Sequence, residues 1–159
     1  MRKIVYSILI AIIIFCIIGC ASFSTSEYIN QEINIDISKC NILIDNDGHE
    51  GFLGDGEYFV KADCSGDSEN ILKQIRFWNE LPLPEDVQLI MYGEEKDYRT
   101  YSSDLADKAG IPTIKNGVYL FDDRHIQNDK AFLDRSSYNF TVALYDKDFD
   151  MFYYYEYDS

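Results

Sequence analysis

Apolar and polar positions alternate along this chain with two different periods, and the switches between them mark its elements. Ile33, Ile35 and Ile37 alternate with Glu32, Asn34 and Asp36, which reads as a short first strand or as the frayed end of a polar tether. Residues 41–45 (NILID) and 57–64 (EYFVKADC) read as two strands. Between them lie Gly48, Gly51, Gly54 and Gly56, four of the nine glycines, where positive φ comes at no steric cost. From Asp67 the period becomes helical: Ile71, Ile75 and Trp78 fall on one face, Asp67 stands at the cap, and Pro82 and Pro84 stop the run. Residues 87–92 (VQLIMY) read as a strand. A short helix over 104–109, capped by Ser102 or Ser103 and closed by Gly110 and Pro112, precedes a strand at 118–121. Residues 122–136 read as a long polar loop. The clearest hairpin is last: 138–145 and 151–157 alternate on either side of a turn holding Asp146, Asp148 and Asp150. The sum is an α+β fold, a mostly antiparallel five- or six-stranded sheet with one main helix and one short helix.

The first twenty residues follow a different logic. Arg2 and Lys3 precede an apolar run over 4–18, too short for a membrane span of about 20 residues but right for the core of a secretory signal. The run ends in Ile17-Ile18-Gly19-Cys20, which resembles a bacterial lipobox. That resemblance implies cleavage before Cys20, a lipid on its sulfur, and anchoring in the bilayer through acyl chains at the extracytoplasmic side of the cell membrane. The expected organisation is a signal peptide over 1–19, a lipid-anchored flexible tether over 20–31, and one α+β domain over 32–159.

The rest of the chain also carries a resemblance. The residues are His49-Glu50-Gly51-Phe52-Leu53-Gly54-Asp55-Gly56, Leu81-Pro82-Leu83-Pro84, Tyr92-Gly93, Asp123-Arg124-His125, Ser137-Tyr138-Asn139-Phe140-Thr141 and the tyrosine-rich end. Together they resemble a group of small uncharacterised lipoproteins of Gram-positive bacteria. In that group the glycine loop tends to read His-Gly-Gly-Phe-His-Gly-Asp-Gly. Here Glu50 replaces a glycine and Leu53 the second histidine, so any metal pair of histidines is halved. The resemblance implies no activity.

Composition narrows the partners. The chain has 159 residues, and hydrophobic residues are 47%, enough for a real core. Without Arg2 and Lys3 there remain 12 basic against 28 acidic residues, hence a net charge of −16, which repels phosphate backbones and argues against a nucleic-acid partner. Cys40 and Cys64 form an even pair in an exported chain. If strands 41–45 and 57–64 pair about a loop centred on Phe52, opposed residues sum to about 104 and Cys40 falls opposite Cys64, within reach of a disulfide. Two free thiols are the alternative.

Candidate chemistry is sparse. Asp45, Asp47, His49 and Asp55 crowd the glycine loop with hard oxygens and an imidazole, a candidate calcium or zinc site. The spacing is not that of an EF-hand, and acids serve turns equally well. His125 sits in the 122–136 loop, with no nucleophile motif around it. Tyr153, Tyr155 and Tyr157 share one strand face, either as packed sheet or, with His125, as a binding surface. These readings favour a secreted, membrane-anchored, non-enzymatic acidic interaction domain for an unknown envelope protein or cell-wall ligand. The alternatives are a calcium- or zinc-dependent envelope module and a hydrolase.

Overall fold

The computed structural model describes residues 23–49, 55–96, 99–101, 105–125 and 130–159. Cys20 and the proposed caps Ser102 and Ser103 lie outside the described residues. In chain order the elements are α1 (Thr25–Ile33), β1 (Asn41–Asp47), β2 (Gly56–Asp63), α2 (Ser68–Gln74), β3 (Asn79–Glu80), α3 (Glu85–Tyr92), β4 (Glu94–Lys96), β5 (Arg99–Tyr101), α4 (Leu105–Lys108), β6 (Gly117–Asp123), a 3-10 turn (Phe132–Asp134), β7 (Asn139–Asp146) and β8 (Met151–Asp158). The fold is α+β. Six strands form one antiparallel sheet in the order β1-β2-β8-β7-β6-β3, and β4 and β5 make a separate two-stranded ribbon.

The hairpin of β7 and β8 lies at the centre, and both of its faces are covered. On one face Ile29 of α1 and Ile71 of α2, with Ile75 just beyond it, pack on Tyr58, Val60, Ala62, Val118, Tyr145, Phe152 and Tyr154. On the other, Leu83, Val87, Met91, Ala106 and Ala109 from the α3–α4 region pack on Phe140, Val142, Leu144, Tyr153 and Tyr155. Two-sided burial explains why β8 reads Phe-Tyr-Tyr-Tyr rather than as a strict alternation. β1, at the edge, is mostly exposed.

Three local expectations are corrected. The stretch expected as a flexible tether over 20–31 contains α1. Ser24 Oγ accepts from the Glu27 N–H while the Glu27 carboxylate accepts from the Ser24 N–H, a reciprocal capping box. Asn34, at φ 57°, closes the helix in the left-handed region, and Ile29 is fully buried. The folded domain therefore starts before residue 32, and Ile35 and Ile37 are core residues of an irregular connection rather than of a strand.

The second correction is α3, where a strand was expected over 87–92. Pro84 stands at its N-cap, Glu85 and Asp86 place negative charge in the first turn, and Gly93 at φ 68° ends it. Leu83, Val87 and Met91 then face the sheet at helical spacing. The third is α2, shorter than expected. Asp67 is its N-cap by position, but the Asp67 carboxylate accepts from the Asn70 side chain and makes no capping bond. Trp78 lies beyond the helix and packs on Phe152, with ring centroids 6.4 Å apart.

Cys40 and Cys64 are joined in a disulfide, with Cα atoms 4.4 Å apart. Asn41 pairs with Asp63 and Ile42 with Ala62, so opposed numbers sum to 104 at the hairpin base. A bulge between Ile42 and Ile44 then shifts the sum to 105. The bridge ties the segment after α1 to the end of β2 and, by constraining the unfolded chain, adds about 3 kcal/mol.

Candidate functional site

One end of the sheet gathers polar side chains from four elements. There α1 begins, β1 ends, β2 begins and β8 ends. Gly48 donates to the Glu57 carbonyl at 2.8 Å and closes the β1–β2 connection. Gly56 permits this by close approach: a Cβ there would lie 2.6 Å from the His49 Cα. Among the described residues, positive φ at glycine is confined to Gly93 and Gly110, so Gly48 and Gly56 serve through space rather than through backbone twist.

His49 is held between two carboxylates. Its Nδ1 lies 2.8 Å from Asp47 Oδ1, and its Nε2 lies 3.4 Å from Asp158 Oδ2. The His49 backbone N–H also donates to Asp47 Oδ1, and that bond is the main reason the Asp47 carboxyl titrates below its ordinary range. Asp45 accepts from the Tyr58 hydroxyl at 3.0 Å and from the Thr25 hydroxyl. Phe23, Thr25, Tyr28, Asp45, Asp47, His49 and Tyr58 together line a cleft between the start of α1 and the hairpin.

Behind the cleft runs a charged network. Arg124 reaches Glu156 Oε1 at 2.7 Å and Asp158 Oδ1 at 2.9 Å. The Glu156 carboxylate is 2% exposed and accepts from the Tyr28 hydroxyl at 2.8 Å and the Tyr154 hydroxyl at 2.7 Å. A buried carboxylate is tolerated only when paired and hydrogen-bonded, and Glu156 has both supports. Burial, and then the hydrogen bond to Glu156, push the Tyr28 phenol well above its ordinary range. The Arg124 guanidinium is raised against the opposing effect of its burial, chiefly by Glu156 and Asp158.

Of the sequence candidates, Asp45, Asp47 and His49 meet in this cleft, and Asp55 is not among its lining residues. The Asp45 oxygens and Asp47 Oδ1 already serve protein donors. Among the described residues no group of three or more His, Cys, Asp or Glu is placed to hold a metal ion. His125 lies in the same end of the molecule but outside the cleft lining, and its backbone N–H donates to Asp123 Oδ1 at 3.2 Å.

The proposed tyrosine surface is corrected. Tyr153 and Tyr155 are 3% and 0% exposed, and Tyr157 stacks on Phe140 with centroids 5.8 Å apart. Tyr153 and Tyr155 are core, and Tyr157 is half-buried against it, because the α3–α4 region packs on that face too. The acids of the last turn are likewise turn chemistry: Asp146 accepts from the Asp148 N–H, Asp148 from the Asn116 side chain and Asp150 from the Tyr145 hydroxyl.

Tyr28, Tyr58, Arg124, Glu156 and Asp158 were not candidates from the sequence. The one available signal was Glu156, an acid on the same strand face as Phe152 and Tyr154. The chain matches no family model, no curated protein and no solved structure.

Proposed function

We propose that the chain is a lipid-anchored binding module of the bacterial cell envelope. Acyl chains on Cys20 hold it at the extracytoplasmic side of the membrane, and the cleft at the start of α1 receives an organic cation, an amine or guanidinium group. The lipobox residues support the address, and the Cys40–Cys64 bridge agrees with an exported domain. The observation that carries the ligand class is the cleft lining, where Asp45 and Asp47 stand beside the rings of Phe23, Tyr28 and Tyr58. Carboxylates next to aromatic faces attract cations by charge and by the ring quadrupole.

Spermidine is a suitable probe. Titrated into the purified chain, it should raise the thermal midpoint by several degrees, since binding to the folded state alone stabilises it. Asp47→Asn should remove most of that gain, and Glu69→Gln, the same charge change on the exposed side of α2, should keep it. Equal losses in the two variants would reduce the effect to charge screening and end the cleft reading. A gain with calcium or zinc that a chelator reverses, and none with spermidine, would replace the organic cation by a metal.

A further inference from the structure

We infer that the end of the sheet carrying the cleft faces the bilayer, with the disulfide end pointing away. This rests on the lipid anchor at Cys20 proposed above. The expected tether is largely absent, because the capping box at Ser24 begins a packed helix. Four residue steps separate Cys20 from Ser24, and an extended chain spans at most about 3.5 Å per residue, so the leash is at most about 14 Å long.

The leash enters the domain at a known place. Thr25 bonds Asp45 near the end of β1, and Tyr28 bonds Glu156 near the end of β8. From there α1 runs toward the opposite end, where Cys40 is bridged to Cys64 and the Cys64 N–H bonds the Asp150 carbonyl. The seven residue steps along β8 separate the two ends by about 23 Å, at roughly 3.3 Å per residue. A leash shorter than the sheet is long holds the start of α1 at the headgroups and the turn between β7 and β8, which carries Phe149, in solvent. Phe23 is 64% exposed on the membrane side and adds apolar contact there. The cleft then opens at the headgroup layer, and its first cations are those concentrated at that surface.

Asp55→Cys and Phe149→Cys give one label site at each end, both exposed. Cys40 and Cys64 are bridged, and an acylated Cys20 does not react, so each variant takes one fluorophore. The full chain, lipidated in cells, is reconstituted into phosphatidylcholine vesicles containing lipids with a quencher on the headgroup. The label at 55 should be quenched several-fold more strongly than the label at 149. Equal quenching, or stronger quenching at 149, overturns the orientation while leaving the anchor intact. A chain that fails to float with the vesicles overturns the anchor and the orientation together. A flexible Gly/Ser insertion of about 20 residues between Ser22 and Phe23 should erase the difference; a difference that survives it overturns the leash as the cause.

Discussion

The two faces of the central hairpin solve the same burial problem with different chemistry. The face under α3 is aromatic and aliphatic: Phe140 meets Phe121, Phe132, Tyr155 and Tyr157 with centroids 5.7 to 6.2 Å apart. The face under α1 also has rings, Tyr28, Tyr58 and Tyr154, but their hydroxyls converge on Glu156 and Asp45. It carries the disulfide as well. Apolar contact is non-directional and indifferent to pH and redox state, whereas a charged, hydrogen-bonded layer fixes geometry and responds to both. The cleft sits on the responsive face.

The largest expected effect lies on the apolar face. Phe140→Ala removes a fully buried ring and should cost about 4 kcal/mol in urea unfolding. The loss should be the same at pH 5 and pH 7; a clear pH dependence would break the contrast. Next comes the staple on the other face. Cys40→Ser with Cys64→Ser should cost about 3 kcal/mol, and a reducing agent should reproduce that loss in the native chain but add nothing to Phe140→Ala beyond it. Glu156→Gln keeps the shape but takes a carboxylate from Arg124 and from two phenols, and should cost about 2 kcal/mol. A double-mutant cycle with Tyr28→Phe should show coupling, since both act through one bond; additivity would detach α1 from the network.

Much of this contrast was legible in the sequence, and the failures have physical reasons. The central hairpin was plain from its alternation, and the β1–β2 register from the counting that paired Cys40 with Cys64. The helix α3 hides behind its composition, because Val-Gln-Leu-Ile-Met-Tyr favours a strand, while Pro84, Glu85, Asp86 and Gly93 mark a helix by position. Likewise Ser24 and Glu27 spell a capping box inside a stretch whose composition is that of a polar tether. The cleft was half visible. Asp45, Asp47 and His49 are neighbours in sequence, but Tyr28, Arg124, Glu156 and Asp158 join them only through the order of strands in the sheet. No local pattern encodes that meeting.

The acid limb sharpens the comparison at the rim. Asp123, held by Arg135 at 2.8 Å, and Asp47, held by the His49 N–H, both titrate below the ordinary value of 3.8. A carboxyl depressed in the folded state adds stability that is fully present above its unfolded pKa and is lost as pH falls through the folded one. Urea midpoints should therefore be flat between about pH 5 and about pH 8 and fall below about pH 4. Asp123→Asn should be less stable at pH 7 and show a shallower acid limb. An unchanged limb would move the acid sensitivity elsewhere.

The smallest effect tests the leash and the polar face together. Ser24→Ala removes the hydroxyl that accepts from the Glu27 N–H and should cost about 1 kcal/mol. The loss belongs to α1 alone, because the α3 face shares no partner with Ser24. Hydrogen exchange should accelerate in the first turn of α1 and at Tyr28, whose bond to Glu156 relies on that turn. The amides of β7 exchange by global unfolding and should lose the same about 1 kcal/mol, so the decisive comparison is the protection of α1 against that of β7 in the native chain. Lower protection in α1 would mean that the N-terminal helix can open as a unit, lengthening the tether without unfolding the sheet. Equal protection in α1, β7 and β8 would mean that α1 and the sheet open only together, and that the leash stays short for as long as the domain is folded.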